Sequence, residues 1–388
     1  MSLRGKAAIT GFAEMAPQKR PEGKTSLGII AEMAREAIAD AGLEKSEIDG
    51  LLTAASLSDF SMLWPSAVVE YLHLKPRYFD QVELGGASSA GMVWRAAAAI
   101  EAGMCNSVLC VIGDTWDSSL FLNKPPPFPA TELEFDAPYG LSGANAGYAL
   151  IARRHMHEFG TTPAQLAKVS VDQRKNACAN PQALFGHKQI TVDDVLNSRM
   201  IADPLHLLEI VSPASGGGAF IVTSADRARH GPNRPVYLLG AGEAGEHSSI
   251  TRAPNMTHSL VKPAADRAFA MAGVSRGQID FIQPYDCYTI TVLVTIEDAG
   301  FCAKGEGGRF IEEHDLSWAG DFPCNTHGGQ LSFGQPGMAG GMSHVIEGVR
   351  QLMGRGEKRQ VADATIGYVN GNGGIMAEQC GLILGVES

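Results

Sequence analysis

The residues best placed to do chemistry lie at Gly86-Ala87-Ser88-Ser89, where a strand runs into a helix. Tyr78 to Leu84 reads as a buried strand, and the Ala-rich stretch from Ala90 to Ala102 reads as a helix. A turn of such small residues lets backbone approach a ligand closely, and it aims helix-start N–H groups at whatever sits there. Many enzymes place a nucleophile at such a turn, yet this one offers two serines and a glycine and no cysteine. A serine nucleophile needs an adjacent base to take its proton. The alternative reading of Ser88 and Ser89 is a helix-capping pair.

The seven cysteines, at 105, 110, 178, 287, 302, 324 and 380, include no CxxC pair. Neither a metal site nor a disulfide framework is expected, and a reducing compartment fits. Acidic residues outnumber basic ones by 42 to 31, and the basic ones are scattered, which argues against a nucleic-acid partner. With 388 residues, 45% of them apolar, the chain can bury a large core in one two-part domain or two domains. No apolar run nears the roughly 20 residues of a membrane span, and Met1 to Lys6 opens no secretory signal. A cytoplasmic protein is expected.

The elements that must position the turn come in two copies. Glu36 to Leu43 and Arg267 to Val274 both read as helix ends stopped by glycine, and Ile48-Asp49-Gly50-Leu51 and Ile279-Asp280-Phe281-Ile282 follow them at the same separation of 231 positions. Ala7 to Gly11 and Val236 to Gly240 read as opening strands. Gly217 to Val222 and Gly374 to Gly385 read as glycine-led closing strands. Each half, 1–230 and 231–388, thus alternates strand and helix, which predicts α/β layers around a mainly parallel sheet. The first half carries an insertion, about 115–210, with the proline-rich loop Lys124 to Pro129 and a helix from Pro163 to Ala177. A lid or a substrate-side loop domain is expected there.

Five pieces in order resemble the thiolase superfamily, across essentially the whole chain. Ala41-Gly42-Leu43 through Ile48-Asp49-Gly50 is similar to the family's opening, and Gly85 to Gly103 to its nucleophile turn and helix. Tyr285-Asp286-Cys287-Tyr288-Thr289 resembles the His-Asp-Cys-Phe motif. Asn325-Thr326-His327-Gly328-Gly329 with Gly334-Gln335-Pro336 resembles Asn-x-x-Gly-Gly followed by Gly-His-Pro, and Gly371-Asn372-Gly373-Gly374 resembles the last active-site loop. The most similar branch is that of the sterol-carrier-protein-type thiolases and lipid-transfer-protein aldolases. The resemblance implies a five-layered α-β-α-β-α fold of two duplicated halves, a homodimer, and a coenzyme A thioester as substrate with no permanently bound cofactor. A small OB-fold partner protein is common in this branch.

The departures from the family pattern bear on the chemistry. The family's nucleophilic cysteine falls on Gly86, its Gly-His-Pro histidine on Gln335 and its first motif histidine on Tyr285, and the closing loop lacks the second cysteine. A glutamine is no base at neutral pH, although its amide can donate to an oxyanion. A tyrosine can donate a hydrogen bond, or serve as acid and base if neighbours lower its pKa of about 10. These residues suit retro-aldol cleavage of a β-hydroxyacyl thioester, and the lipid-transfer-protein aldolases are understood to use tyrosines in this way. Tyr288 and Tyr368 are second tyrosines for the site, or packing residues. His327 is a further catalytic candidate or an ordinary loop histidine. Gly86, Gly374 and Asn325 are candidates for shaping an oxyanion site through backbone, Asp286 for capping a helix near Thr289, and Cys380 for the core. Two other readings stand beside the aldolase: a non-catalytic acyl-CoA-binding or scaffold subunit, and an acetyl-CoA acetyltransferase working through Ser88 or Ser89.

Overall fold

A computed structural model describes residues 2–59, 61–116, 131–141 and 143–388; the proline-rich stretch from Lys124 to Pro129 lies outside the described residues. Nine strands form the main sheet among them: β1 (Ala7–Glu14), β2 (Gly50–Thr53), β3 (Tyr78–Gln81), β4 (Ser107–Asp114), β5 (Gly216–Ser224), β6 (Val236–Gly245), β7 (Phe281–Pro284), β8 (Ile366–Gly373) and β9 (Glu378–Gly385). Their order across the sheet is β3-β2-β4-β5-β1-β6-β9-β8-β7.

The sheet is mixed rather than mainly parallel. β2 runs parallel to β3 and β4, and β7 to β8, whereas β5 is antiparallel to β1 and β4, and β9 to β6 and β8. Parallel neighbours need a crossover connection of a dozen or more residues, and β9 has none. β9 returns from β8 through residues 374–377 alone, and β5 enters from the insertion. The two halves share one set of pairing senses, with β6, β7, β8 and β9 standing where β1, β2, β4 and β5 stand. The strand expected over Tyr78 to Leu84 is shorter, and as the sheet's edge it is half-exposed, with Phe79 46% accessible.

β1 and β6 pair only at Ala8↔Tyr237 and Ile9↔Val236, and the two halves diverge from that seam. Helices α1 (Ser26–Asp40) and α2 (Trp64–Leu72) cover the outside of the first half. Between the halves lies α3 (Ser88–Glu101). The insertion supplies α4 (Gly143–Phe159) and α5 (Pro163–Cys178), α6 (Val261–Ala272) and α7 (Thr289–Asp298) cover the outside of the second half, and α8 (Gly340–Leu352) packs beside α3 in the middle. The result is five layers, α-β-α-β-α. Strand periodicity divides the core accordingly: Val108, Cys110 and Ile112 of β4 face the central helices, and Leu109 and Val111 face α1. α3 is rich in alanine because a sheet presses on each side of it; Ala90, Ala96 and Ala97 are all buried. The expected glycine stops are present, with Gly42 after α1 at φ +67° and Gly273 after α6 at φ +66°.

α4 and α5 pack on the second half rather than forming a core of their own: Tyr148, Ile151, Leu166 and Val169 join Val292 and Leu293 in one cluster. α8 is pinned from below by charge. Arg350 bonds Glu14 of β1 at 2.8 Å and Glu347 at 2.7 Å, and Arg359 meets Glu347 at 3.1 Å. Burial alone would raise the Glu347 carboxyl, but Arg359 and Arg350 outweigh it and hold it well below the usual range.

Candidate active site

The turn into α3 is folded by its own serine. Ser88 Oγ donates to the Gly85 carbonyl at 2.7 Å and accepts from the Leu84 N–H at 2.9 Å. Both of its hydrogen-bonding functions are thus spent on the backbone, and Gly85 takes φ +55° to close the turn. Ser89 is fully buried, and its hydroxyl has no partner among the described residues. Neither serine lines the nearby cavity, and among the described residues neither hydroxyl bonds a base. The nucleophile reading of Ser88 and Ser89 therefore finds no geometry to support it. The capping reading is met in part, since Ser88 ties the turn while the N-cap residue is Ala87.

Gly86 does line that cavity, which measures about 410 Å³. A Cβ placed on Gly86 would fall 2.4 Å from both Cε2 and Cζ of Tyr285 and 2.5 Å from the Asn372 carbonyl oxygen. The phenol ring thus fills the space that a side chain at position 86 would need. Tyr285 follows directly on β7, and its N–H donates to the Asn370 carbonyl at 3.1 Å, so the sheet sets its position. Gln335 Nε2 donates to the Tyr285 hydroxyl oxygen at 3.3 Å. Gln335 is itself held by backbone, its N–H on the Ser212 carbonyl and its carbonyl on the Ala214 N–H.

Electrostatics run opposite to one sequence expectation. Burial raises the Tyr285 hydroxyl well above its ordinary value, Cys287 adds to the rise, and the amides of Gln335 and Gln330 offset only part of it. Tyr285 is therefore a neutral phenol and not a lowered-pKa base, because burial outweighs the amides that favour its ionised form. Burial likewise pushes the Cys287 thiol up to about 12, which leaves it protonated and a poor nucleophile. Among the described residues lining the cavity there is no carboxylate and no imidazole. What favours negative charge here is the backbone. α3 begins two residues after Gly86, and a Cβ on Gly341, in the first turn of α8, would lie 2.1 Å from the Gly86 oxygen. The N-termini of α3 and α8 thus meet at Gly86, and a helix N-terminus favours negative charge near it.

The other sequence candidates divide. Gly374 lines the cavity at φ +59°, and Asn372 joins it. Tyr288 is also in the wall, stacked on Tyr148 with ring centroids 4.2 Å apart, and its hydroxyl donates to Asn145 Oδ1 at 2.6 Å. Tyr368 is core, stacked on Phe269 at 5.7 Å, and Cys380 is core as expected. His327 lies beneath the site, 5.2 Å from the His344 ring, with neither nitrogen bonded among the described residues. Burial lowers its pKa far below the usual value, so it is a neutral interior group away from the cavity. Asn325 sits at φ +49° and accepts the Gly328 N–H at 2.8 Å, which makes it a turn former outside the cavity. Asp286 caps the short helix Gly329–Phe333 through the N–H groups of Gln330 and Leu331, not the helix near Thr289. Sequence reasoning missed Tyr148, which α4 brings in from the insertion, outside any motif.

Comparison with known proteins gives this geometry a context. Residues 242–386 match the family described as thiolase C-terminal domain-like. The steroid side-chain-cleaving aldolase of Thermomonospora curvata is 34% identical over 99% of both chains. An acetyl-CoA acetyltransferase of Methanothermobacter thermautotrophicus is 35% identical over 89% of this chain and 91% of its own. The solved Ltp2-ChsH2(DUF35) aldolase superposes with a TM-score of 0.87 at 33% identity, over 99% of this chain and 98% of that one. The chain belongs to the thiolase superfamily, in the branch of the sterol-carrier-protein-type thiolases and lipid-transfer-protein aldolases.

Proposed function

We propose that the protein cleaves the Cα–Cβ bond of a β-hydroxyacyl-CoA by a non-covalent retro-aldol reaction, releasing an aldehyde or ketone and a shorter acyl-CoA. The observation that carries this reading is the Tyr285 ring standing in the space of the position 86 side chain. It excludes a nucleophile there and puts a phenol in its place. Two of the three relatives above are themselves named aldolases.

The proton balance suits one phenol. The β-hydroxyl loses a proton as its C–O bond becomes C=O, the Cα–Cβ pair moves onto Cα and the thioester carbonyl, and Cα ends by gaining a proton. Tyr285 can receive the first proton as it gives up its own, so no phenolate need persist in a site that disfavours one. The Gln335 amide donates to the phenol oxygen and so leaves the phenol hydrogen free for substrate. The Gly374 N–H and the two helix N-termini stabilise the enolate oxygen. We further propose that the protein works as a homodimer, as its family resemblance implies, and with a small OB-fold partner, by analogy with the DUF35 protein named in the aldolase complex above.

The deciding experiment offers a panel of β-hydroxyacyl-CoAs to the pure protein, alone and with such a partner, and follows products by mass spectrometry. A shorter acyl-CoA with a matching carbonyl compound is expected. Tight acyl-CoA binding with no cleavage across the panel rejects the aldolase in favour of a scaffold subunit. An acetyl adduct on Ser88 after acetyl-CoA treatment rejects it in favour of acetyl transfer. The pH profile makes a second prediction. Because the folded Tyr285 pKa is raised, the phenol form persists past its ordinary value of about 10. kcat/KM is therefore expected to stay flat between about pH 6 and pH 9. A limb centred near pH 7 would require an imidazole or a lowered phenol that this wall does not hold.

A further inference from the structure

The Gly374 wall of the cavity is held by a chain of buried hydrogen bonds that all run one way. Asn370 Nδ2 donates to Gln379 Oε1 at 3.2 Å, and Gln379 Nε2 to Asn372 Oδ1 at 2.7 Å. Asn372 Nδ2 donates to the Tyr148 hydroxyl oxygen at 2.8 Å, and the Tyr148 hydroxyl to the Gly374 carbonyl at 2.7 Å. Each amide's polarity is fixed by the one before it. Tyr148 is nearly fully buried at 1% exposure, and its hydroxyl both accepts and donates, so the chain ends on the Gly374 peptide, while Asn370 Oδ1 at its far end has no partner among the described residues.

The second peptide at Gly374 is held separately. The Gly373 carbonyl accepts the Ala377 N–H at 3.0 Å, and in a trans peptide the Gly374 N–H must then point the opposite way, out of that turn. The Gly374 nitrogen lies 3.2 Å from where Gly85 would carry a Cβ, on the side of the α3 turn. One bond from Tyr148 and one from Ala377 thus fix both peptide planes around a glycine at φ +59°, a conformation that would otherwise be free to turn.

We infer that Tyr148 is a positioning residue: through the Gly374 carbonyl it fixes the loop whose N–H polarises the thioester carbonyl of the substrate. This rests on the Gly374 role proposed above. It also gives the insertion a part in the reaction, since α4 carries Tyr148 while Gly374 lies in the closing turn of the other half. Tyr148 touches no reacting atom; its hydroxyl is saturated within the protein.

The test uses the full chain and butyryl-CoA labelled with ¹³C at the thioester carbonyl, which has no β-hydroxyl and cannot be cleaved. Infrared difference spectra of the bound carbonyl report its polarisation directly. In the wild type the band is expected to move to lower wavenumber than in water. In Tyr148→Phe at least half of that shift should vanish, with the Kd for butyryl-CoA within about two-fold, and with kcat for cleavage down about 10- to 100-fold at little change in KM. Gln379→Met, two bonds up the chain and outside the cavity, should reduce the shift in the same direction, and it decides the matter if Tyr148→Phe does not fold. A wild-type shift that survives both variants overturns the role of Tyr148 and leaves the cleavage reading standing. A wild type that binds the thioester without shifting its carbonyl overturns the Gly374 donor, and Tyr148's part with it.

Discussion

Replacing Tyr285 by phenylalanine is expected to lower kcat/KM for β-hydroxyacyl-CoA cleavage about 10³-fold, while the folded protein and its affinity for acyl-CoA change little. The two halves of that expectation have separate causes. The ring does structural work, because it fills the space beside Gly86, and phenylalanine keeps the ring. In the proposed reaction the hydroxyl does the chemistry as the proton carrier, and its contact from Gln335 is long, at 3.3 Å. Losing a contact of that length costs stability no more than about 1 kcal/mol. Within the proposed reaction the phenol both receives the β-hydroxyl proton and returns one to Cα, and among the described residues lining the cavity there is no carboxylate or imidazole to replace it. Circular dichroism melting, butyryl-CoA binding and single-turnover cleavage measured on one preparation separate the effects. A variant that keeps more than a tenth of wild-type cleavage would take Tyr285 out of the reaction and turn attention to Tyr288.

How far the sequence carried this reading depends on what each feature leaves behind in the chain. The duplication is legible because a helix stopped by glycine followed by Ile-Asp and a strand is a local signal, and it recurs with fixed separation at Gly42 and Gly273. Strand direction is not local. Nothing in Gly217 to Val222 tells whether β5 runs with or against β4, and the answer comes from the insertion that delivers it. Tyr285 and Gln335 are legible because glycines and prolines beside them mark site loops. The fate of their neighbours turns on burial. His327 has the right residue type beside the right glycines, yet the fold places it under the floor, next to His344 and Phe333. Ser88 looks free in sequence and is saturated in the turn. The direction of the Tyr285 shift could not be read either, because it depends on how deeply the fold buries the hydroxyl. Tyr148 left no trace, since its meaning arises only when α4 packs against a loop more than two hundred residues away.

Gly86→Ala is expected to destabilise the protein by about 3 kcal/mol, at the upper end of what one added methyl does in a packed site. The cause is contact alone: the new Cβ would stand 2.4 Å from two carbons of the Tyr285 ring and 2.5 Å from the Asn372 carbonyl oxygen. The ring can be removed and the carbonyl cannot. A double-mutant cycle with Tyr285→Ala should therefore show favourable coupling of about 1–2 kcal/mol, less than full rescue, because the strand β8 carbonyl keeps its place. Chemical denaturation of the four proteins measures this, and strict additivity would mean that ring and glycine do not compete for one space. The same competition bears on chemistry. A cysteine put at position 86 meets the ring before it meets a substrate, and no described residue in the wall could take its proton. Gly86→Cys should accordingly acquire no acetyl adduct from acetyl-CoA, and retro-aldol cleavage should fall as the ring is displaced from Gln335. Restoring the thiol alone does not restore a thiolase, because the space for that thiol now belongs to the phenol.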